Sequence, residues 1–226
     1  MEPTNNLGDI VNLNFPKRAL IYLVRTFFQL LYHQLAWTYD TVAWIVSLGS
    51  WQKWIQSTVQ YLNGPKILEI GFGPGHLQVS LQQKKVWVVG IDESRQMAML
   101  TQNKLARRGF LGTLVRGDAE RLPFTSESFD QVVMTFPSEF ILNLTAISEF
   151  MRVLVKGGSA VLLPMAWITG RKPLERFVAW VNQITGEAPK WDPSILEPLM
   201  QAGFDVRWNL IDYSRSRIVV IQMRKR

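Results

Sequence analysis

The chain of 226 residues contains no cysteine. Disulfide bonds, thiolate metal sites and a cysteine nucleophile are therefore excluded. The composition is compatible with a reducing compartment, and we expect a cytoplasmic protein. The opening stretch MEPTNNLGDIVNLNF lacks a basic end followed by an apolar core, so no secretory signal is predicted. We find no cluster of residue types suited to a divalent metal, and we predict no metal site.

Positive charge and aromatic side chains are what the chain has in excess. The formal net charge is +7, and the basic residues are scattered except at Arg224, Lys225 and Arg226. Such a charge would suit nucleic acid or an anionic membrane, although a basic, solvated surface explains it more simply. Tryptophan is also unusually frequent early in the chain, at Trp37, Trp44, Trp51 and Trp54.

Residues 1–63 are predicted to form a helical, aromatic-rich arm ahead of a core at residues 64–226. Residues 17–60 contain no proline and a single glycine, and their first part has the spacing of an amphipathic helix. The apolar stretch at 19–32 is too short for a membrane span of about 20 residues and is interrupted by Arg25. Its apolar face can pack on the core, line a substrate pocket or touch a bilayer, and these alternatives stay open.

From residue 65 onward, short apolar strands alternate with helices. The predicted strands are 66–70, 86–91, 112–117, 129–136 and 159–165. The predicted helices between them are 75–83, 94–108 and 143–154. This alternation predicts an α/β fold in which a parallel sheet is covered by helices on both faces.

The end of the chain follows a different pattern. After predicted helices near 172–185 and 193–202, the stretches FDVRWNLID and SRSRIVVIQMR have the composition of two strands. Only a short turn around Tyr213 and Ser214 joins them. Because a parallel crossover needs a longer connection, the last strand is predicted to be antiparallel to its neighbour.

The stretch ILEIGFGPGHL, residues 67–77, carries the chain's densest glycine pattern. A strand that ends in Gly71, Gly73 and Gly75 and turns directly into a helix exposes backbone amides to a ligand at the carboxyl edge of the sheet. A dinucleotide loop of the form Gly-x-Gly-x-x-Gly would require a sixth-position glycine where His76 stands. The pyrophosphate interpretation is therefore weakened, and His76 is more simply a packing or capping residue.

Three acidic residues are predicted to lie along the same edge. Glu69 precedes the glycine loop, Asp92 ends the second strand and Asp118 ends the third. A carboxylate at the position of Asp92 can accept hydrogen bonds from both ribose hydroxyls of an adenosine. A diphosphate would be repelled by three such charges, whereas an adenosyl ligand with ammonium and sulfonium groups would be attracted.

Several blocks, in this order, resemble the class I S-adenosylmethionine-dependent methyltransferases over residues 36–165. They are EIGFGPG, GIDES, GDAERLPF followed by SFD, and RVLVKGG. The segment AWTYD at 36–40 is similar to the A-x-x-Tyr-Asp segment of the quinone-biosynthesis enzymes in the small-molecule branch. The resemblance implies a Rossmann-like three-layer sandwich, with a seven-stranded sheet whose last strand is antiparallel. It also implies S-adenosylmethionine as cofactor and S-adenosylhomocysteine as product.

The resemblance implies a role for each glycine-loop residue. Gly71, Gly73 and Gly75 would border the methionine part of the cofactor. Glu69 would lie near its ammonium group, directly or through water. Tyr39 would cover the cofactor from the arm.

The remaining cofactor contacts implied by the resemblance come from later strands. Asp92 would hold the ribose, with Glu93 beside it. Asp118 would accept from the adenine amine, and the backbone of Ala119 would meet the edge of the ring. Thr135, at the end of the fourth strand, would lie under the sulfur side of the cofactor.

Methyl transfer from a sulfonium is an in-line displacement, so the protein's contribution is expected to be mainly orientation and desolvation. A base is required only if the acceptor arrives protonated. The candidates for this catalytic role are His33, Tyr39 and Glu139. The aromatic arm, with Phe136 and Phe140 after the fourth strand, favours a small apolar or aromatic acceptor over nucleic acid.

Other interpretations stay open at this point. A cofactor-binding protein with a scaffolding or regulatory role and no transferase activity would keep every motif named above. A nucleic-acid methyltransferase and a nicotinamide oxidoreductase are less well supported. The arm can also serve as a lid, as a homodimer contact or as a peripheral membrane contact.

Overall fold

The computed structural model describes residues 39–137, 143–185 and 191–226. Predictions for the arm before residue 39, including His33, lie outside the described residues, and so do those for Glu139 and Phe140. The division into an arm and a core at residue 63 stays a prediction.

Seven α-helices occur in the described ranges. They are α1 Tyr39–Val46, α2 Trp51–Gln56, α3 His76–Gln83, α4 Arg95–Ala106, α5 Leu144–Val153, α6 Pro173–Thr185 and α7 Glu197–Gln201. Short 3₁₀-helices span Val59–Tyr61 and Pro193–Leu196. The sheet is built from β1 Lys66–Ile70, β2 Trp87–Asp92, β3 Thr113–Arg116, β4 Phe129–Thr135, β5 Leu154–Ile168, β6 Phe204–Tyr213 and β7 Ser216–Lys225.

The strands form one seven-stranded sheet in the order β3-β2-β1-β4-β5-β7-β6. Strands β1 to β5 are parallel to one another, whereas β7 runs antiparallel to both β5 and β6. The predicted Rossmann-like α/β sandwich and its antiparallel last strand are therefore confirmed. The topology brings the carboxyl ends of β1, β2 and β3 side by side, where the three acidic residues were expected.

Strand β5 is longer than its predicted span of 159–165. It begins at Leu154, and its register against β4 shifts between Phe129 and Gln131. Gly157 within this irregular part has a φ of 71°. Gly157 and Gly158, which precede the predicted strand, are therefore accommodated inside a bulged strand.

The arm is not one continuous helix in its described part. Helix α1 ends at Val46, and Leu48 and Gly49 adopt φ angles of 51° and 76°. Gly49 N donates to Trp44 O at 2.7 Å, which closes the end of the helix before α2 begins. The helical segment predicted over residues 17–60 is thus divided here into separate helices, because a glycine in the left-handed region ends helices efficiently.

The core lies on both faces of the sheet, as the alternation of side chains along β1 requires. Leu68 and Ile70 face one cluster, which includes the buried Phe150 and Phe204. Ile67 faces the other cluster, together with four apolar residues that follow α1: Trp54, Ile55, Val59 and Leu62. Within the described ranges, no helix has the length and apolar character that crossing a bilayer would need.

A buried hydrogen bond fixes α2 to the distant strand β7. Trp54 Nε1 donates to Ser216 Oγ at 2.9 Å, and both side chains are almost fully buried. Each group would otherwise lose its hydrogen bond to water without replacement, which makes the pair mutually dependent.

We predict that Trp54→Phe lowers the free energy of unfolding by about 1–3 kcal/mol, because it leaves the Ser216 hydroxyl unpaired. Urea unfolding of Trp54→Phe, Ser216→Ala and the double variant measures the coupling. We expect the double variant to lose about 1 kcal/mol less than the sum of the single variants. Strict additivity would show that the hydrogen bond contributes nothing to stability.

Candidate active site

The loop between β1 and α3 has a backbone conformation that glycine favours. Gly71, Gly73 and Gly75 have φ angles of 71°, 50° and 76°. A Cβ atom built on Gly71 or Gly73 would meet no other atom within 4 Å, whereas one on Gly75 would collide with the Thr101 side chain. The first two glycines therefore border open space at the edge of the sheet, and the third allows close packing against α4.

Asp92, the last residue of β2, holds this loop in place. Its Oδ2 accepts from Gly73 N at 2.9 Å, and its Oδ1 accepts from Ser94 N at 2.9 Å. Thr101 Oγ1 donates to Gly73 O at 2.7 Å from the other side. Burial raises the pKa of Asp92, against the opposing effect of these backbone donors. The predicted ribose-binding residue is thus also the residue that joins the glycine loop to β2.

Glu69 lies one residue before the end of β1 and is 1% exposed. Its Oε2 accepts from Gln78 Nε2 of α3 at 2.7 Å. Burial raises the pKa of Glu69 to about 8, the Gln78 hydrogen bond opposes this, and the charge of Asp92 adds to it. Near neutral pH the carboxyl group therefore holds its proton, and a cation placed beside it would favour the ionised form.

The residues expected around the adenine lie at the end of β3. Asp118 follows this strand, is exposed, and accepts through Oδ1 from Glu120 N at 2.9 Å. Ala119 is half-buried and packs against the core. Glu93 is exposed, and its backbone oxygen accepts from Arg116 Nε at 3.0 Å. The carboxylates of Asp118 and Glu93 are thus accessible to a ligand at this edge.

Tyr39 of the arm packs beside the glycine loop, and its predicted contact with the cofactor stays a prediction. It is 8% exposed and packs in a cluster with Phe72 of the loop and Met97 of α4. The edge of its ring meets Trp51, with 6.1 Å between ring centroids. The Trp51 ring in turn stacks on Phe136, with centroids 4.2 Å apart.

This aromatic contact links the arm to the end of β4. Thr135 is the last residue of that strand and is half-buried, and Phe136 follows it with a φ of 49°. Such a φ is uncommon for a residue with a side chain, and it accompanies a hydrogen bond from Phe136 N to Leu163 O at 2.7 Å. Trp51 and Phe136 therefore lie beside the carboxyl edge where the predicted cofactor residues meet.

A cavity of about 470 Å³ opens next to this aromatic pair. Its lining residues are Asp40, Thr41, Trp44, Gly49, Trp51, Gln52 and His76. The Trp51 indole N–H is buried and has no hydrogen-bond partner among the described residues. The cavity thus combines two tryptophan rings with a few polar groups, a composition typical of small-molecule sites.

His76 links the arm to the helix that follows the glycine loop. Its Nε2 lies 2.7 Å from Asp40 Oδ1, and Gln52 Nε2 lies 3.4 Å from its Nδ1. Lys104 Nζ donates to Asp40 Oδ2 at 3.1 Å. Burial by itself would raise the pKa of Asp40, but His76 and Lys104 outweigh it and hold the value at about 2. The packing role expected for His76 is thus part of a polar network.

Several lining residues were not singled out as site candidates by sequence reasoning. Asp40, Trp44 and Gln52 line the same cavity because the helix is interrupted at Gly49, between α1 and α2. The one sequence signal that could have indicated them is the Asp40 of the AWTYD segment. Among the described residues, no group of three or more histidine, aspartate or glutamate side chains could hold a metal ion.

The chain is similar to known methyltransferases in sequence and in fold. Residues 67–158 match a methyltransferase domain family. The ubiquinone/menaquinone biosynthesis C-methyltransferase UbiE of Cupriavidus metallidurans is 29% identical over 181 residues, covering 71% of this chain and 72% of that protein. The demethylmenaquinone methyltransferase of Roseiflexus castenholzii is 34% identical over 160 residues, covering 67% of this chain and 64% of that protein.

A solved structure supports the fold. The crystal structure of a SAM-dependent methyltransferase from Methanosarcina mazei superimposes with a TM-score of 0.55 at 21% identity, covering 75% of this chain and 96% of that chain. The chain belongs to the class I S-adenosylmethionine-dependent methyltransferases, and its cofactor is S-adenosylmethionine. The open cradle beside Gly71 and Gly73 fits such a group, because a ligand can approach the backbone there without meeting side chains.

The buried Glu69 makes stability depend on pH in a defined direction. Its pKa is raised from an ordinary value of 4.5 to about 8, so the folded state binds an extra proton between these limits. Stability from this group is therefore full below pH 4.5 and is lost as pH rises through 8. Glutamine cannot ionise, so the stability of a Glu69→Gln variant should not fall with pH in this way. We therefore predict that the free energy of unfolding of the variant rises relative to that of the wild type between pH 4.5 and about 8, and exceeds it by roughly 2 kcal/mol or more at alkaline pH.

Thermal unfolding of the cofactor-free protein at a series of pH values measures this difference. Asp205→Asn, at an exposed position on β6, is the matched control and is expected to show no comparable trend. A wild type and a Glu69→Gln variant whose melting temperatures run parallel from pH 5 to about pH 9 would contradict the raised pKa.

Proposed function

We propose that this methyltransferase acts on a small apolar or aromatic acceptor, such as the ring of a quinol. The observation that carries the proposal is the cavity lined by Trp44 and Trp51 beside the end of β4. Flat tryptophan faces can hold a planar ring, and the stacking of Trp51 on Phe136 fixes the orientation of one wall. The names of the relatives, which are quinone-biosynthesis methyltransferases, favour the same class of acceptor.

We assign the cofactor contacts as the sequence predicts them. Gly71, Gly73 and Gly75 would border the methionine part, and Glu69 would face its ammonium group. The raised pKa of Glu69 suits this role, since burial prepares a carboxyl group that ionises when a cation arrives. Tyr39, which packs on the glycine loop, would close the cofactor off from water.

The nucleoside contacts follow from the next two strands. Asp92 would accept from the ribose hydroxyls with Glu93 beside it, since each carboxylate oxygen can accept more than one hydrogen bond. Asp118 would accept from the adenine amine, and Ala119 would meet the ring edge through its backbone. Thr135 would lie below the sulfur side, next to the acceptor cavity.

The bound cofactor supplies a methyl group on a sulfonium, whose departure leaves a neutral thioether. The chain's own contribution is therefore to hold the acceptor in line with that group and to exclude water. Trp51 serves both purposes in this proposal, because it lines the cavity, stacks on Phe136 and meets Tyr39 edge-on.

An acceptor that arrives protonated also needs a base. Tyr39 is the described member of the predicted set, while His33 and Glu139 keep their roles as predictions. The His76 and Asp40 pair, 2.7 Å apart, lines the same cavity and adds a candidate route for a proton. Because His76 also contacts Gln52 and Asp40 also accepts from Lys104, this pair is better suited to positioning the cavity wall than to removing a proton from the acceptor directly.

We predict that Asp92→Asn weakens the binding of S-adenosylhomocysteine about 10- to 100-fold, because charge-assisted hydrogen bonds to the ribose are lost. Isothermal titration calorimetry measures the dissociation constant. Asp205→Asn serves again as the matched control and is expected to bind like the wild type. An unchanged dissociation constant for Asp92→Asn would remove the ribose role from this residue.

The acceptor class is tested by transfer of a labelled methyl group. We expect label in quinol or phenol fractions of a lipid extract and none in RNA.

We predict that Trp51→Ala raises the KM for that acceptor at least about tenfold, since stacking contacts of this kind are worth roughly 1–3 kcal/mol. Trp87→Ala, at an exposed tryptophan on β2, is the control. Label in RNA, or an unchanged KM in Trp51→Ala, would contradict the proposed acceptor site.

A further inference from the structure

Helix α6 presents an apolar face that no described part of the chain covers. Leu174, Phe177 and Trp180 are 63%, 59% and 55% exposed. Their spacing of three residues places them on one side of the helix, and the rings of Phe177 and Trp180 lie 6.1 Å apart. Glu175 and Val178 of the same helix are buried, so α6 is attached to the domain while its bulkiest residues stay exposed.

Positive charges border this apolar face. Arg171, Lys172 and Arg176 are exposed at the beginning of α6. Arg215, exposed in the turn between β6 and β7, lies next to them because its carbonyl oxygen accepts from Thr169 N at 2.9 Å and from Gly170 N at 3.2 Å.

The acidic residues near this face do not cancel those charges. Glu175 is the acidic residue of α6, and it is buried and accepts from Lys172 N at 2.9 Å. Asp212 in the neighbouring hairpin is paired with Arg217 at 2.6 Å. The surface therefore consists of an apolar centre with a rim of cations, which we call the α6 surface: Leu174, Phe177 and Trp180 with Arg171, Lys172, Arg176 and Arg215.

We propose that the α6 surface docks on a membrane that contains anionic lipid. The side chains of Leu174, Phe177 and Trp180 enter the interfacial layer, and the basic rim contacts lipid phosphates. Large apolar and aromatic residues on one helix face, bordered by lysine and arginine, are the composition of helices that lie in a membrane interface. Tryptophan suits this depth because its ring is apolar and its N–H is polar.

Charge favours a bilayer over the other partners that such a face could bind. A second copy of the chain, related by two-fold symmetry, would bring the same cationic rims together and repel. Nucleic acid would engage the cations but would leave the apolar centre without a partner, since phosphates form the outside of a duplex. An anionic bilayer satisfies both parts of the surface at once.

Docking through α6 would also place the acceptor cavity close to the membrane. Asn182 Nδ2 of α6 lies 3.5 Å from Val46 O, so the helix adjoins the end of α1 that carries the cavity residue Trp44. An apolar acceptor could then pass from the bilayer to the cavity over a short distance. This consequence rests on the proposed function, whereas the docking itself does not.

Vesicle flotation of the full chain tests the docking. We expect the wild type to float with vesicles of phosphatidylcholine and phosphatidylglycerol, and to float poorly with phosphatidylcholine alone or at high salt. Phe177→Ser combined with Trp180→Ser should reduce the bound fraction about tenfold, because the apolar anchors are lost. Arg171→Gln combined with Arg176→Gln should weaken binding and flatten its salt dependence.

Matched controls distinguish binding through the α6 surface from nonspecific binding that depends only on total charge or on any exposed apolar residue. Leu111→Ser removes a residue that is 94% exposed elsewhere, and Lys84→Gln with Arg107→Gln removes two exposed charges from another part of the chain. Both controls should float like the wild type.

Failure of the wild type to bind anionic vesicles, or unchanged flotation of both α6 variants, would overturn the proposal and direct attention to the arm before residue 39. A dimer that Phe177→Ser with Trp180→Ser converts to a monomer, with flotation unchanged, would identify a self-contact and overturn it too.

Activity on a water-soluble acceptor analogue keeps this test independent of the proposed function. The α6 variants should transfer methyl groups to a short-chain quinol as fast as the wild type does, and should lose rate only with acceptor embedded in anionic vesicles. A wild type that binds vesicles and methylates no quinol would disprove the proposed acceptor while leaving the docking in place.

Discussion

The carboxylate of Asp92 is the contact on which the candidate site depends. By accepting from Gly73 N and Ser94 N, it joins the glycine loop after β1 to the start of α4 after β2. The loop can make this contact only because three glycines take positive φ angles and because Gly75 lets α3 approach Thr101. Asp92 is thus held by the backbone before any ligand arrives, and its carboxylate is preorganised to accept further hydrogen bonds.

Electrostatics at this edge differ from a simple row of three negative charges. Burial keeps a proton on Glu69 near neutral pH, so the half-buried Asp92 and the exposed Asp118 lie along the same edge as a neutral carboxyl group. The neutral form avoids the cost of an isolated buried charge when the site holds no cation. A cationic ligand would favour loss of the Glu69 proton and would then be attracted by the carboxylate, whereas a diphosphate would have no favourable interaction with it. Selectivity for a cationic amino-acid tail can therefore coexist with a stable ligand-free fold.

Much of this fold could be predicted from the sequence, because strand and helix alternate with clear periodicity and because the glycine loop and the strand-end acids are local in the chain. The path of the arm could not be predicted in the same way. The sequence contains a single glycine between residues 17 and 60, at 49, and the left-handed conformation of Leu48 and Gly49 shows that the helix is interrupted there, after α1 ends at Val46. The cavity residues Asp40, Trp44 and Gln52 come together through that break, so no spacing rule along the chain could group them. Likewise the sequence predicts that β5 begins at residue 159, whereas the strand begins at Leu154, where it pairs with Phe129 of β4 ahead of a register shift.

The two aromatic regions of the molecule have different physical explanations. Tyr39, Trp51, Trp54 and Phe136 form a chain of ring contacts and are mostly enclosed, so their burial stabilises the domain, and Trp51 also lines the cavity. Phe177 and Trp180 contact each other but are more than half exposed, and exposing them to water carries a cost that folding does not remove. A partner that offers an apolar layer beneath a negatively charged surface would remove that cost and pair with the neighbouring cations. In such a methyltransferase the proposed acceptor site, beside α1, and the proposed docking surface, on α6, would lie on two neighbouring helices.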